Sequence, residues 1–326
     1  MKTYMKVCLI LSLILVVIGG LLCFVALYRV SFDWNKLTFN VENETYDYIV
    51  VGTVRNVQIN TKQADVRVAR SANSSCTVRA KIPSRDGCTA VTRDGLLTVT
   101  CTDDPSVPWY KKIWSLDDMT VTVFLPEDSY ESLRITTDSG DVSVSDALSF
   151  SSARTKTDSG DQEICSPVSD DLSATSSSGD IAVKRMGCKT VSVTAESGEV
   201  FLDSCRSDSV TASTSSGSVS LAKCTVKNVK TNSASGDQVF SQVVVSEKLV
   251  AVSSSGYILL LASSAGEIQI TAKSGDVTGR LTEPMLFDVR SDSGVVDLPP
   301  SDGTGRCTVR TGSGDVTFTM WDSNEG

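Results

Sequence analysis

Ten Ser-Gly pairs punctuate the last two-thirds of this 326-residue chain, with glycines at Gly140, Gly160, Gly179, Gly198, Gly217, Gly236, Gly256, Gly275, Gly294 and Gly314. Successive glycines are always 19 or 20 residues apart. A fixed step of that size restricts the chain to repeat architectures, in which each unit cannot bury its apolar face alone and must stack on its neighbours.

The residues around each glycine say what the unit is. Before Gly198, Val191, Val193 and Ala195 occupy alternate positions, and Val200 and Leu202 follow it in the same way. Leu133, Ile135, Thr137, Val142 and Val144 repeat the pattern around Gly140, and Phe287, Val289, Ser291, Val296 and Leu298 repeat it around Gly294. A period of two puts these side chains on one face of each of two short strands that meet at a turn. Glycine takes positive φ without steric cost and the preceding Ser hydrogen-bonds local backbone, so Ser-Gly-Asp predicts the turn itself. The inward positions beside the turn are nearly all Thr, Ser or Ala, which leaves the core thin there.

Pairs of such units would make four-stranded propeller blades, and single units would make the rungs of a solenoid. Alternate units lack the inner and outer difference that blades impose, so the pattern predicts an all-β, single-stranded, β-helix-like solenoid. A degenerate rung, with Val57, Ile59, Thr61, Val66 and Val68 around Ala64-Asp65, precedes the series. About eleven rungs at ~4.8 Å each give a rod roughly 50 Å long. Residues 56–130 hold that rung, a hairpin and an irregular β cap for the open end of the solenoid. Residues 131–320 are the repeats, and 321–326 a polar tail. The far edge, after Val316 and Phe318, is either covered by that tail or offered to a partner.

From Val7 to Tyr28 no residue is charged, and Lys6 and Arg29 bracket the stretch. It is long enough to cross a bilayer as a helix, and it lacks the short apolar region and small-residue site of a cleaved signal. The expectation is a cytoplasmic tail at 1–6, a signal anchor at 7–29, and a stalk with a first strand at 30–55. This makes a single-pass protein of the cell membrane whose large C-terminal domain is extracytoplasmic. Three of the 30 Lys and Arg lie in the first 30 residues and none of the 39 Asp and Glu, so the remainder carries a net charge of about −12. Such an acidic domain argues against nucleic acid as a partner.

The chain has ten cysteines and no histidine. Asp94-Gly95 suits a two-residue hairpin turn, and in that register Cys88 falls opposite Cys101, the best candidate disulfide. Cys205 and Cys224, each seven residues after a glycine, stack as neighbours. Without histidine, Ser-His and Cys-His nucleophile activation and His-bound metal are excluded. Asp141, Asp161, Asp180, Glu199, Asp237, Asp276 and Asp315 each follow a glycine and line one corner. Stacked carboxylates repel, and Ca2+ is the ion that would relieve them, with Asp141, Asp161, Asp180, Asp237, Asp276 and Asp315 as ligands. The alternative is that Asp simply favours this turn position, and Ser218, Tyr257 and Val295 interrupt the line. No other cofactor is expected. Trp109, Tyr110, Lys111, Lys112 and Trp114 sit in the least repeat-like stretch, either as a plug for the core or as a stacking platform for a ligand.

The TDSGDVSV, TSSSGDIAV and AKSGDVTG units, the WYKKIW stretch before MTVTVFLP, and the VFLPEDSYESL segment that follows resemble a family of bacterial surface domains known as toastrack domains and candidate adhesins. The resemblance covers roughly residues 35 to 320. It implies an all-β, solenoid-like, envelope-associated protein, and it supplies no catalytic residues. The expected function is to bind or sense an envelope glycan or protein partner without catalysis. The alternatives are a polysaccharide-active β-helix enzyme and a structural spacer or assembly scaffold.

Overall fold

The computed structural model describes residues 12, 15–21, 24, 25, 28, 43–83, 86–102 and 119–321. The chain divides into two compact units. One takes Met1–Glu42 and Asp104–Asp117, and the other takes Asn43–Asp103 and Asp118–Gly326. Most of the expected anchor at 7–29, the stalk up to residue 42 and the polar tail from 322 lie outside the described residues. Residues 15–21 are helical. Among the described residues no helix is long and apolar enough to cross a membrane.

The second unit is an all-β solenoid. Each rung gives a long strand before its glycine and a short one after it, such as Gly187–Ala195 and Val200–Asp203 in the Gly198 rung. Long strands pair with long and short with short, in parallel and without slippage here: Val191 lies on Val210, and Val200 on Val219. Two parallel sheets therefore face one another. Val191, Val193, Val200, Leu202, Val210 and Leu221 fill the space between them at 1% exposure or less. Period-two alternation produces this directly, because every second side chain points inward. Two glutamines, Gln162 and Gln238, are also buried. Their amides are satisfied by Thr155 and the Thr175 carbonyl, and by Thr231 and the Val252 carbonyl.

The turn glycines are needed for a reason beyond the expected positive φ. Only Gly256, Gly275 and Gly314 among them have positive φ. What all ten share is close stacking: a Cβ on Gly198 would lie 2.2 Å from the Gly179 carbonyl oxygen, and one on Gly160 would lie 2.1 Å from that of Gly140. The thin inward positions serve the same turns. Thr157 Oγ1 donates to the Gly160 carbonyl at 2.8 Å, and Thr214 Oγ1 to that of Gly198 at 3.2 Å. Positive φ falls instead at the opposite corner, on Arg185, Ser204, Lys223, Gln242 and Ala262.

Two segments leave the sequential order. At the N-terminal end, Leu96–Thr102 stacks in parallel on Asn56–Asn60, and Thr120–Leu125 on Asp65–Arg70, although both come later in the chain. Beyond them the pairing turns antiparallel: Gly87–Arg93 lies on Leu96–Thr102, Cys76–Pro83 on Thr120–Leu125, and Asn43–Val50 on Cys76–Pro83. Cys88 is disulfide-bonded to Cys101. The Tyr48 hydroxyl donates to the Cys88 carbonyl at 2.7 Å, tying the outermost strand of one sheet to that of the other.

At the C-terminal end the Gly314 rung is not the edge. Gly305–Ser313 inserts between Ile258–Ser274 and Met285–Ser293, and Val316–Met320 between Val277–Leu281 and Val296–Asp297. The reason lies in packing. The Phe318 ring occupies the space that Gly279 leaves, where a Cβ would meet it at 2.3 Å, and it sits 5.3 Å from the Phe287 ring. Phe318 is thereby buried, and the Gly294 rung is left outermost.

Candidate functional site

The outer face of the short-strand sheet is built by the residues that alternate with the core positions. Val66 and Val68 point inward, so Arg67 points outward; Ser143, Glu163 and Ala182 follow it on successive rungs in register. Together with the aspartates at the turn they line an open groove of about 570 Å³, formed by Asp65, Arg67, Asp141, Ser143, Asp161, Glu163, Asp180 and Lys184 among others. Lys184 bridges to Glu163 at 2.8 Å, and that carboxylate raises the pKa of Lys184. Both partners are solvated, so the pair fixes geometry more than it adds stability.

The acidic corner is a hydrogen-bonded ladder. Asp65 Oδ1 accepts the Asp141 N–H at 3.0 Å, Asp141 Oδ1 that of Asp161 at 2.9 Å, Asp161 Oδ1 that of Asp180 at 2.8 Å, and Asp180 Oδ1 that of Glu199 at 2.7 Å. Each carboxylate caps the turn of the next rung. Tyr257 and Val295, which interrupt the line, still donate their N–H groups to Asp237 and Asp315. Asp276 accepts from Asp315, and Val295 belongs to the outermost rung, with no further turn to cap among the described residues. Ser218 donates its hydroxyl to Glu199. The six aspartates considered as Ca2+ ligands are thus stacked in order, each with an oxygen engaged by backbone. Among the described residues no group of three or more His, Cys, Asp or Glu is close enough to hold a metal ion.

The long-strand sheet carries a second, shallower depression of about 420 Å³, lined by Ser169, Lys189, Arg206, Ser207, Asp208 and Lys227 with their neighbours. Lys189 is paired with Asp170, and Lys227 with Asp208 at 2.8 Å. The hydrogen bond and charge of Lys189 lower the pKa of Asp170, and Asp208 raises that of Lys227. Trp109, Tyr110, Lys111, Lys112 and Trp114 lie outside the described residues. Cys205 and Cys224 are buried neighbours. Donating a hydrogen bond to the Cys224 sulfur, together with burial, pushes the Cys205 thiol up.

Of the two grooves, the sequence pattern singled out only the turn aspartates Asp141, Asp161 and Asp180 of the first. Arg67, Glu163, Lys184, Lys189 and Lys227 are ordinary outward residues of amphipathic strands, and only their register on successive rungs gathers them. The signal that could have found them is the column obtained by aligning every unit on its glycine.

Two parallel sheets wound from a glycine-punctuated repeat, with polar ladders on their outer faces, define a β-solenoid domain with surface grooves. The chain belongs to the Toastrack DUF4097 family, whose model matches residues 54–319. No curated protein matches it. Among solved structures, a candidate adhesin from Bacteroides fragilis is 13% identical with a TM-score of 0.43, over 85% of this chain and 97% of that one. A candidate adhesin from Parabacteroides distasonis is 11% identical with a TM-score of 0.48, over 83% and 99%. A candidate lipid-binding protein from the same species is 15% identical with a TM-score of 0.45, over 83% and 98%.

Proposed function

We propose that the chain is a membrane-anchored, extracytoplasmic toastrack protein that binds or senses a ligand of the cell envelope without catalysis. The observation that carries this is the groove of the short-strand sheet, where Arg67, Ser143 and Glu163 stand in register, with Lys184 bridged to Glu163, beside a ladder of turn-capping aspartates. Alternating acids, bases and hydroxyls at fixed spacing match a polar, repetitive polymer such as an envelope glycan. No histidine exists in the chain to activate a nucleophile. The uncharged stretch from Val7 to Tyr28 supplies the single-pass anchor in this reading. Trp109, Tyr110, Lys111, Lys112 and Trp114 are a second contact surface in the same proposal. The aspartate ladder serves the turns, and Ca2+ is not required for binding.

The test has two arms. Fractionation of cells expressing the full chain, with protease added from outside, reports anchoring: the domain is expected to be membrane-bound and cleavable in intact cells. Binding of the full chain to purified cell-wall glycans is expected to weaken with Lys184→Glu and to survive calcium chelation. A chain that binds no glycan or envelope protein across a broad panel would refute the ligand-binding reading.

A further inference from the structure

The Gly294 rung ends the solenoid with an unfinished edge. Met285–Ser293 pairs on one side with Gly305–Ser313, and among the described residues nothing pairs with its other side. The Gly314 N–H donates to the Ser293 carbonyl, and the Phe287 N–H to Ser301 in the loop that leads to the inner strand. Odd-numbered residues of the strand therefore turn their backbone groups inward. By alternation, Leu286, Asp288, Arg290 and Asp292 present theirs outward. The core is open at the same place: Phe287, Val289 and Leu298 are only half-buried, and Leu286, Val295 and Val296 are exposed at 45%, 68% and 41%.

The side chains on this edge select a partner. Two such strands can meet antiparallel about a twofold axis, with outward-facing residues opposite one another in hydrogen-bonded pairs. With the axis at Val289, Asp288 lies opposite Arg290 of the other copy and Leu286 opposite Asp292, so all four outward residues are paired. With the axis moved to Asp288, two aspartates face each other. With the axis at Arg290, two arginines do, and Asp288 meets Asp292. An axis at Ser291 also sets Arg290 opposite Asp292, but it carries Leu286 and Asp288 past the end of the partner strand, so the Val289 register is the one that joins opposite charges while pairing all four outward residues. Charges of a single sign would have blunted the edge against any neighbour, which is the usual protection of an exposed strand. Alternating signs in Asp288, Arg290 and Asp292 instead match a second copy.

We propose that this edge is the docking surface for a second copy of the chain, joined end to end through antiparallel pairing of the two Met285–Ser293 strands about Val289. Both sheets would then continue across the axis, and Phe287, Val289, Val296 and Leu298 would complete one core with their counterparts. The proposal is independent of what the grooves bind.

Sedimentation equilibrium of the full chain in a non-ionic detergent tests it. The parent chain is expected to be a dimer. R290E alters an exposed side chain and sets acid against acid in both pairs, so self-association should weaken about tenfold or more. D288K sets base against base with the same result, and it also gives up the pair between Asp288 and Arg310. An equimolar mixture of the two variants should recover the parent's affinity, because the new acid of one chain meets the new base of the other. A monomeric parent at its highest soluble concentration overturns the proposal. So does an R290E chain that associates as tightly as the parent, which would place any dimer elsewhere, or a mixture no tighter than its components. If D288K alone fails to fold, R290E still decides.

Discussion

At the N-terminal end of the solenoid both sheets finish on antiparallel strands, and the Tyr48 hydroxyl joins the last strand of one sheet to the last of the other. At the C-terminal end both sheets stop on parallel strands of the Gly294 rung, whose long strand alternates half-buried and exposed residues with only Met285 buried. The difference shows what a repeat can and cannot supply. Identical units stack indefinitely but cannot end themselves, because each rung presents a fresh edge and an open core to the next. Closure at the first end needs sequence that departs from the repeat: residues 71–83, 86–102 and 119–128, with their disulfide and their reversed strands. Among the described residues the second end has no such insertion. It keeps the repeat's own edge and places Phe318 one layer inside it.

The largest effect separating interior from edge should come from the turn glycines. A Cβ on Gly198 or on Gly294 meets a neighbouring glycine carbonyl at almost the same distance, 2.2 and 2.1 Å. Gly198 is held between two rungs, whereas the Gly294 rung is free on one side. Gly198→Ala should cost more than about 3 kcal/mol, and Gly294→Ala roughly half of that or less. Urea unfolding of the two variants measures this. Equal losses would mean that the outermost rung is as constrained as the middle.

Core truncation comes next. Leu97 lies under the closed end at 0% exposure, so Leu97→Ala should cost about 3 kcal/mol, with Val289→Ala at the open end costing about 1 kcal/mol or less in the monomer. The Cys88 to Cys101 bridge, spanning 13 residues, should contribute about 2 to 3 kcal/mol. Replacing both cysteines by Ala, or reducing the bond, is expected to lower the melting temperature and to loosen the closed end first under limited proteolysis.

How much of this could be read beforehand depends on what the repeat makes unequal. The strand, turn and strand of each unit were legible because Val191, Val193, Val200 and Leu202 alternate without exception, and burial follows them. The order of the last rungs was not. The Gly275, Gly294 and Gly314 units carry the same pattern, so the local signal is degenerate as to which lies on which. The order is decided by one complementary pair, Phe318 against Gly279, far apart in the chain. The glycines mark the turns as expected, but positive φ is the reason at only Gly256, Gly275 and Gly314, whereas close approach holds at all ten; a sequence does not distinguish the two needs. The aspartate line was visible as a column, whereas its bonds from carboxylate to the next N–H appear only once the rungs are stacked in register.

The smallest expected effect compares two thiols near opposite ends. Burial pushes Cys76, beside the closed end, up to about 11, and Cys307, next to the outermost rung, up to about 12. Both start from an ordinary value of 9.0. Because the folded-state values are raised, the neutral thiols contribute stability that is fully present below pH 9 and is lost as the pH climbs through the folded values. At pH 10 the unfolded chain ionises each thiol while the folded chain does not, which costs up to about 1 kcal/mol per site. Cys307→Ala and Cys76→Ala should each remove part of the alkaline loss, the Cys307 variant over the wider range. The sharper outcome concerns the edge. If the Gly294 rung frays in the monomer, water reaches Cys307 and its alkaline loss shrinks below that of Cys76. If a second copy covers the edge, Cys307 keeps the larger share, and dilution below the dimer's dissociation constant should reverse the ranking.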